Sequence, residues 1–252
     1  MNAPRDGVAG RRIRAVLHAH SLWSYDGSWQ LDAIARLFAR MGADAVLMTE
    51  HDTGFAPERF EEFRRACAAA SRQGCLLVPG IEYSCPDNDI HILTWGLERF
   101  LAEHRPVHDT LSAVRDGGGI AVFAHPVRRD AWRLFQDAWV DRLDAIEIWN
   151  RKSDGLAPGD RAMELLRQTG LCPTVGVDFH RLKHLYPLSM GLTLAPGADL
   201  TPKAVLDALR TGTGVPLAFG RPVLTPEGEP ARLHPRLERA RRTLKRLRPR
   251  RS

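Results

Sequence analysis

A pair of histidines separated by one residue closes the first apolar run of the chain, in the stretch IRAVLHAHSLWSYDG of residues 13–27. Because side chains alternate between the two faces of a strand, His18 and His20 are predicted to point the same way. Two imidazoles on one face can share a metal ion. Asp26 follows His20 by six residues and precedes Gly27, which places a carboxylate on a turn close to the same ion.

Further histidines and carboxylates follow the later apolar runs. The runs at residues 45–48, 76–81, 120–124 and 174–177 end in TEHD, E, HP and DFH, and a short strand at 89–93 carries a histidine. The candidate metal ligands are His18, His20, Asp26, His51, Glu82, His91, His125, Asp178 and His180. Imidazole mixed with carboxylate suits Mn²⁺, Fe²⁺ or Zn²⁺ better than Mg²⁺ or Ca²⁺. At about three to five ligands per ion, this set predicts two or three divalent ions.

The elements that position these residues alternate along the chain. Helical periodicity over 31–42, 58–70, 107–114, 160–168 and 204–209 separates the strands, which also include 145–149 and 192–194. This order predicts an α/β fold with a parallel sheet and outer helices, most simply a closed barrel. In such barrels the loops at the carboxyl ends of the strands converge on one face, where ligands bind.

The motifs LHAHS with Asp26, TEHD, GIE, the His91 strand, AHP and GVDFH resemble, in order and spacing, those of the polymerase and histidinol phosphatase (PHP) family over residues 13–182. The resemblance implies a distorted seven-stranded (β/α) TIM-like barrel with a trinuclear metal centre that hydrolyses phosphoesters. It also implies how the ions are shared. One ion would be held by His18, His20, Glu82 and Asp178, a second by Glu82, His91 and His125, and a third by Asp26, His51 and His180.

Three positions depart from the family pattern. Glu50 stands where the family usually has aspartate, Phe179 replaces a small residue, and the spacing from His20 to Asp26 is one residue longer than in many members. None of these changes removes a ligand. We expect Phe179 to narrow the pocket.

Clustered divalent ions lower the pKa of a bound water, so hydroxide activated by the metal is the expected nucleophile. No covalent intermediate is needed, and the sequence has no Cx₅R, GxSxG or GxxxxGK[ST] motif. The expected catalytic residues are Asp178, His180 and His125, and Glu147 is expected to orient a ligand. Cations after the strand ends are candidates for binding substrate: Arg128, Arg129, Arg151 and Lys183, with Lys152, Arg181 and His184 beside them.

The basic character of the 252-residue chain is concentrated in its last segment. Residues 231–252 carry ten Lys and Arg against one acid, which leaves 26 basic and 29 acidic side chains in residues 1–230. We expect a barrel over 1–230 and a basic C-terminal helix over 231–252. The apolar stripe of that helix is predicted to pack on the barrel: Leu233, Leu237, Ala240, Leu244 and Leu247. Contact of its arginines with nucleic acid is the alternative.

No apolar run is long enough to span a bilayer, and the first twelve residues hold no signal-like apolar segment. The four cysteines form no CxxC pair and are predicted to be reduced thiols. We therefore expect a soluble cytoplasmic protein without a membrane partner. The sequence does not predict its oligomeric state.

Three functions remain open at this point. The first is a metal-dependent phosphomonoesterase acting on a small phosphorylated metabolite or nucleotide. The second is a PHP-type nuclease, and the third is a metal-binding module without turnover. An amidohydrolase with the same HxH start would need a bridging lysine on its fourth strand, which the sequence lacks.

Overall fold

Strands and helices alternate along residues 10–247, the part of the chain that the computed structural model describes. The strands are β1 (Arg12–Ala19), β2 (Ala45–Met48), β3 (Glu50–His51), β4 (Leu76–Val78), β5 (Gly80–Ser84), β6 (His91–Trp95), β7 (Ile120–Phe123), β8 (Ala145–Asn150), β9 (Cys172–Gly176), β10 (Leu188–Thr193), β11 (Val215–Ala218) and β12 (Arg221–Pro222). The helices are α1 (Leu31–Arg40), α2 (Phe60–Ala70), α3 (Val107–Asp116), α4 (Arg151–Asp154), α5 (Asp160–Thr169), α6 (Pro202–Arg210) and α7 (Leu233–Leu247).

Local sequence signals set the bounds of several helices. The Thr201 hydroxyl accepts a hydrogen bond from the Ala204 backbone N–H at the start of α6, and Pro202 occupies the first turn. Helix α5 ends at Gly170, whose φ of +67° lies in the left-handed region that glycine adopts without steric cost. These helices lie where their apolar periodicity predicts them.

The strands form two six-stranded sheets. The first has the order β12-β11-β10-β1-β2-β4 and the second β3-β5-β6-β7-β8-β9. The pairs β1–β2, β2–β4, β3–β5, β7–β8 and β8–β9 are parallel, whereas the pairs involving β6, β10, β11 and β12 are antiparallel. The sheets are therefore mixed.

At two places the chain passes from a strand of the first sheet to a strand of the second through a single residue. Thr49 connects β2 to β3, and Pro79 connects β4 to β5. Thr49 donates its backbone N–H to the Ala19 carbonyl (2.8 Å). Residues after β9 also bond to β1, since Val177 donates to the Leu17 carbonyl (3.0 Å) and His20 to the Phe179 carbonyl (2.8 Å). Backbone hydrogen bonds thus connect β1 and His20 with residues that lie next to strands β3 and β9 of the second sheet.

The α/β class is confirmed, but a wholly parallel sheet is wrong, and neither a closed barrel nor a count of seven strands is confirmed. Only six residues connect β5 to β6, too few for a parallel crossover, so the chain reverses and β6 pairs antiparallel with both neighbours. Strand β10 covers the short strand predicted at 192–194 and pairs antiparallel with β1. The sequence reasoning missed β11 and β12.

Helix α7 contacts the rest of the protein through a different face from the one predicted. Leu233 is 57% exposed and Leu244 65% exposed, and Leu237 is also exposed, whereas His234 and Glu238 are buried. The His234 ring packs edge-on against Trp149, with centroids 5.0 Å apart. The expected packing is therefore wrong for Leu233, Leu237 and Leu244, while the side chain of Leu247 lies outside the described part of the structure. The contact is made instead by His234 and Glu238, and Glu238 accepts a hydrogen bond from a loop N–H.

The Glu238 carboxylate connects α7 to the loop between α4 and α5. It accepts a hydrogen bond from the Leu156 backbone N–H (3.0 Å) and further ones from Arg241 and Arg242. Burial raises the pKa of Glu238, but these hydrogen bonds lower it more, and its pKa lies at about 2 instead of 4.5. The ionised carboxylate is therefore the form that holds α7 in place.

Cys67, Cys75, Cys85 and Cys172 are free thiols, and the first three are buried. Burial raises the pKa of Cys75 to about 12, so this thiol stays protonated at neutral pH. Within residues 10–247 no helix is both long and apolar enough to cross a membrane.

We expect Glu238→Gln to destabilise the protein at neutral pH. Because the pKa of Glu238 is lower in the folded chain than in the unfolded chain, its contribution is fully present above about 4.5 and is lost as the pH falls towards 2. The free energy of unfolding of the two proteins, measured in urea by circular dichroism, should differ at neutral pH and converge over that window. Glu58→Gln, at an exposed carboxylate, is the control. A difference that is independent of pH would contradict this role for Glu238.

Candidate metal centre

The nine predicted ligands lie together at one edge of the sheets. His18 and His20 come from the end of β1, His51 from β3 and Glu82 from β5, while His125 follows β7 and Asp178 and His180 follow β9. His91 begins β6 rather than ending it. Because β6 runs antiparallel to its neighbours, its first residue lies at the edge where the parallel strands end. Eight of the nine side chains are buried, and Asp26 is half-buried.

The Glu82 carboxylate lies at the centre of the cluster and contacts five imidazoles. Its Oε2 atom lies 3.3 Å from a ring nitrogen of each of His18, His20 and His51. Its Oε1 atom lies 2.5 Å from Nδ1 of His91 and 2.9 Å from Nε2 of His125. Glu82 therefore contacts side chains from four different segments of the chain.

Asp178 and Asp26 occupy two further sides of the cluster. Asp178 Oδ1 lies 3.7 Å from Nε2 of His18 and 3.6 Å from Nε2 of His20. Asp26 lies 3.3 Å from Nε2 of His51 and 3.1 Å from Nε2 of His180. The longer spacing between His20 and Asp26 therefore still brings this carboxylate to the site.

Three groups of side chains have ligand atoms within 4.8 Å of one another: His18, His20 and Asp178; His18, Glu82 and His125; and His20, His51 and His180. The first group fits the ligand set that the family resemblance implies for one ion. The other two groups each include a histidine that the resemblance assigns to that first ion. The structure thus brings the whole set together but divides it differently.

Several atoms of the cluster have no hydrogen-bond partner although they are buried. They are His20 Nε2, His51 Nε2, Asp26 Oδ1 and Asp178 Oδ1. Buried polar atoms in folded proteins are almost always hydrogen-bonded, so unpartnered nitrogens and carboxylate oxygens that face one another favour a bound cation. Imidazole and carboxylate are also the donors that divalent Zn, Mn and Fe accept. The residues present therefore fit a divalent metal site of unspecified metal and number.

Three of these residues adopt a left-handed backbone that is unusual for residues other than glycine. The φ angles are +67° at His18, +25° at His125 and +51° at Asp178. Such conformations cost roughly 1–3 kcal/mol each and persist only where the surrounding structure enforces them. At His18 the register between β1 and β2 shifts, so a bulge, rather than simple alternation along a strand, brings His18 and His20 to the same carboxylate.

Glu147 orients His18, as expected, and works together with a residue that the sequence reasoning missed. Glu147 Oε1 lies 3.0 Å from Nδ1 of His18, and its Oε2 accepts the His125 backbone N–H (2.8 Å). The Asn150 side-chain amide donates to Glu147 Oε2 (3.0 Å) and to Asp178 Oδ2 (3.3 Å). Asn150 ends β8 at the same edge, and this position was the signal that could have identified it.

Glu50 supports the loop that follows β1 and is not one of the grouped ligands. It accepts hydrogen bonds from the Ser21 hydroxyl (2.6 Å) and the Ser24 hydroxyl. Ser24 in turn accepts the His51 backbone N–H (2.9 Å). Burial raises the pKa of Glu50. The two serines, which were not predicted, fix the approach to Asp26.

The charges of the cluster are strongly coupled. Burial raises the pKa of Glu82, but the charges of His91 and His18 and hydrogen bonds from His125 and His18 lower it more, so it lies well below the usual range. Burial and the neighbouring His51 and His180 hold the pKa of His20 well below its ordinary value. Glu82 is therefore ionised and His20 neutral, the protonation states of metal ligands.

The predicted substrate-binding cations lie in different environments. Arg128 is half-buried, and its guanidinium donates to the Asn88 carbonyl (2.9 Å) and lies 3.2 Å from Nε2 of His91. Arg129 is exposed and pairs with Asp89, whereas the Arg151 guanidinium stacks on the Tyr186 ring, 5.0 Å from its centroid. Lys183 is exposed. Of these four residues, Arg128 is the one placed against the cluster.

Lys152, beside Arg151, is a second cation at the cluster. Its Nζ lies 3.6 Å from Asp178 Oδ1 and 3.4 Å from Nε2 of His180. The side chain comes from the single turn α4, whose first backbone N–H groups are capped by the Asn150 side-chain oxygen. Arg128 and Lys152 thus approach the cluster from the segments that follow β7 and β8, respectively.

Phe179 does not narrow the pocket, contrary to expectation. Its side chain is fully buried, and its ring packs edge-on against Trp29 and Phe38, with centroids 5.8 and 5.4 Å away. Since Asp178 and His180 face the cluster, the residue between them faces the apolar core. A bulky residue there fills the core and leaves the site unchanged.

Comparison with solved structures identifies several proteins of similar fold. A two-domain protein from Bacteroides vulgatus containing a predicted PHP-like metal-dependent phosphoesterase aligns with a TM-score of 0.63 and 17% identity over 86% of this chain and 70% of its own. The chain shares the PHP-like fold. PsfC from Pseudomonas syringae aligns with a TM-score of 0.62 and 16% identity over 93% of this chain and 98% of its own.

A nuclease also has this PHP-like fold. The lesion-specific endonuclease EndoQ from Pyrococcus furiosus aligns with a TM-score of 0.53 and 14% identity over 85% of this chain and 58% of its own. No family model matches the sequence, and neither does any curated protein. At these identities the similarity establishes the fold alone, and the chemistry depends on the residues of the site.

We expect Glu82→Gln to weaken metal binding by about 10- to 100-fold, because a neutral amide cannot replace a carboxylate shared among five imidazoles. Elemental analysis of the protein after dialysis against a weak chelator measures the loss. Asp144→Asn is the matched control. Asp144 is a half-buried carboxylate outside the cluster, and it accepts a hydrogen bond from the Ala121 backbone N–H in β7. Equal metal content in wild type and Glu82→Gln would refute a central role for this carboxylate.

Proposed function

We propose that the protein is a PHP-family enzyme that hydrolyses a phosphomonoester of a small metabolite or nucleotide with divalent metal ions. The observation that carries the proposal is the buried carboxylate Glu82 among five histidines, with unpartnered donor atoms on His20, His51 and Asp178 around it. A structural role alone would not favour so many unpaired polar atoms in one place.

We assign the metal-holding role to all nine side chains of the cluster, and we propose two or three ions of Mn²⁺, Fe²⁺ or Zn²⁺. When bound, such ions lower the pKa of a water and offset the negative charge of a phosphoryl group. We further propose that the bonds between residues 177–179 and β1 close the sheets into the distorted seven-stranded barrel. This proposal is supported by the fold similarity and by the backbone bonds of Val177 and His20.

Asp178, His180 and His125 are the proposed catalytic residues. Each is buried at the cluster, and each is held by the protein in a fixed orientation: Asp178 by the Asn150 amide, His180 by the Asp178 carbonyl (3.0 Å from Nδ1) and His125 by Glu82. Positioned donors that do not reorganise during the reaction contribute most to catalysis of this kind.

Lys152 and Arg128 are the proposed phosphoryl-binding cations. Both lie within 3.6 Å of atoms of the cluster, one beside Asp178 and His180 and the other beside His91. Charge-assisted hydrogen bonds from such groups fix a phosphoryl group and balance the charge on its oxygens. The proposed roles of Arg129, Arg151 and Lys183 receive less support, because their charged groups lie away from the cluster or are exposed.

A nuclease is the second candidate, and one observation favours it. Helix α7 exposes arginines such as Arg236 and Arg239, and cations of this kind can bind the phosphates of a polynucleotide. The structure of EndoQ with a 27-mer duplex also aligns with this chain, at a TM-score of 0.54 and 13% identity. A metal-binding module without turnover is the third candidate.

We expect Asp178→Asn and His125→Ala each to lower kcat by more than about 100-fold with the fold retained. Lys152→Ala should lower kcat/KM by about 10-fold, the loss of one hydrogen bond to a charged group. Phosphate release from nucleotides, sugar phosphates and short oligonucleotides measures these effects, and circular dichroism checks the fold. The exposed Lys203→Ala is the control for the lysine variant. Unchanged rates in Asp178→Asn and His125→Ala would contradict the assignment, and a metal-loaded wild type without turnover would favour the binding module.

Charge reversal on α7 distinguishes the phosphatase from the nuclease. In the double variant Arg236→Glu and Arg239→Glu, a nuclease should lose activity on oligonucleotides and show a weaker dependence on salt. A small-molecule phosphatase should be unaffected. The double variant Arg40→Glu and Arg72→Glu makes the same charge change at exposed arginines of another surface and serves as the control.

A further inference from the structure

Tyr25 is an exposed aromatic side chain placed directly over the metal-ligand cluster. Its side chain is 72% exposed, yet its ring stacks on that of the buried His51, with centroids 5.0 Å apart and an interplanar angle of 22°. One face of the phenol ring therefore covers His51. An exposed aromatic ring is common in folded proteins, so its location is what sets Tyr25 apart.

The backbone on both sides of Tyr25 is held in place. Ser24 donates its hydroxyl to Glu50 and accepts the His51 backbone N–H, and Asp26 lies within 3.3 Å of His51 and His180. The loop then closes at Gly27, where a Cβ atom would lie 1.8 Å from the Ser21 carbonyl oxygen, so only glycine fits. The contacts of its two neighbours therefore fix the backbone from which the Tyr25 ring projects.

Two cations lie against other histidines of the cluster. The His51 ring contacts the His91 ring edge-on, with centroids 6.4 Å apart, and the Arg128 guanidinium lies 3.2 Å from Nε2 of His91. A chain of contacts therefore connects Tyr25 with Arg128 through His51 and His91. Lys152 approaches a third position of the same cluster, beside His180.

These groups divide into two kinds by chemistry. Arg128 and Lys152 are cations and suit the phosphoryl oxygens. The exposed Tyr25 ring carries no charge at neutral pH, since a phenol ionises only at about pH 10. Such a ring suits a flat apolar group, and stacking of a base on an aromatic side chain contributes roughly 1–3 kcal/mol. In a phosphoester, the part that can offer such a flat group is the alcohol that hydrolysis releases.

We propose that Tyr25 determines specificity by stacking on a planar aromatic ring in the alcohol part of the substrate, so that the site prefers nucleoside phosphates to aliphatic phosphates. This inference rests on the proposed phosphoesterase function. The tyrosine acts on the substrate, and it takes no part in bond breaking.

The first test compares kcat/KM for a nucleoside monophosphate and for glycerol phosphate. Tyr25→Ala should lower the value for the nucleoside monophosphate by roughly 10-fold and leave that for glycerol phosphate within about twofold. Tyr25→Phe should retain the preference, because it keeps the ring. Leu22→Ala is the control, since Leu22 is exposed in the same loop.

Equal losses on both substrates would overturn the proposal and show that Tyr25 only positions His51. No loss on either substrate would overturn it as well. Bound metal in Tyr25→Ala, measured by elemental analysis, should equal that of the wild type, because the contact of Tyr25 with the cluster is the stacking of its ring on His51.

A second test needs no turnover and separates this inference from the proposed function. Titration calorimetry of the metal-loaded protein measures the Kd of a nucleoside phosphonate, in which CH₂ replaces the ester oxygen, and of propylphosphonate. Tyr25→Ala should raise the Kd of the nucleoside phosphonate alone, by roughly 10-fold. If this shift occurs while no phosphoester is hydrolysed, the proposed function fails and the role of Tyr25 stands. If phosphoesters are hydrolysed without any preference for the nucleoside compound, the role of Tyr25 fails and the proposed function stands.

Discussion

The contact of one buried carboxylate, Glu82, with five imidazoles is the interaction on which the rest of the site depends. These histidines come from β1, the loop after it, β3, β6 and the segment after β7, so their convergence requires the two sheets to meet at one edge. Asp178, Glu147 and Asp26 add carboxylates within the same small volume. These carboxylates raise the pKa of His18 and His51 in spite of burial, whereas burial and repulsion from His51 and His180 hold the pKa of His20 low. Bound divalent cations would offset the same carboxylate charges with the imidazoles neutral, as metal ligands are.

The backbone around the cluster is strained in the same places where it presents these ligands. His18, His125 and Asp178 each have positive φ angles, and each lies at the end of a strand. The strain is maintained by hydrogen bonds: Glu147 accepts the His125 N–H, and Phe179 donates its N–H to the His18 carbonyl (3.1 Å). Because the Phe179 bond also joins the segment after β9 to β1, the pairing of these two segments helps to hold His18 in its strained conformation.

The side chains that converge on the cluster could be predicted from the sequence because few side-chain types suit a metal ion and because strand ends meet at one edge. The nine predicted side chains do lie together, but their path there differs at His18, where a bulge replaces simple alternation, and at His91, which begins a strand. Strand direction was the least predictable feature. The six-residue connection between β5 and β6 makes β6 antiparallel to its neighbours. An apolar pattern predicts a strand but neither its direction nor its neighbours in the sheet. The packing of the leucines of α7 was predicted wrongly, because periodicity identifies an amphipathic helix but not the face that contacts the rest of the protein. In the structure Glu238 makes this contact, by accepting a hydrogen bond from a loop N–H.

The buried side chains that support the cluster, which form the floor of the site, make more hydrogen bonds than the exposed side chains around it, which form the rim. Buried residues such as Asn150 and Glu50 must satisfy several hydrogen bonds at once, so their identity follows from the ligands that they hold. Residues at the rim are less constrained: the Tyr25 side chain is 72% exposed, and the Lys152 side chain, although it pairs with Asp178, is 41% exposed. If the cluster holds metal ions as proposed, its buried supports would be common to different phosphoesters, and preference among them would depend on the exposed side chains around it. Tyr25 is the aromatic side chain among these that stacks on a histidine of the cluster, which is why the proposed specificity is assigned to it.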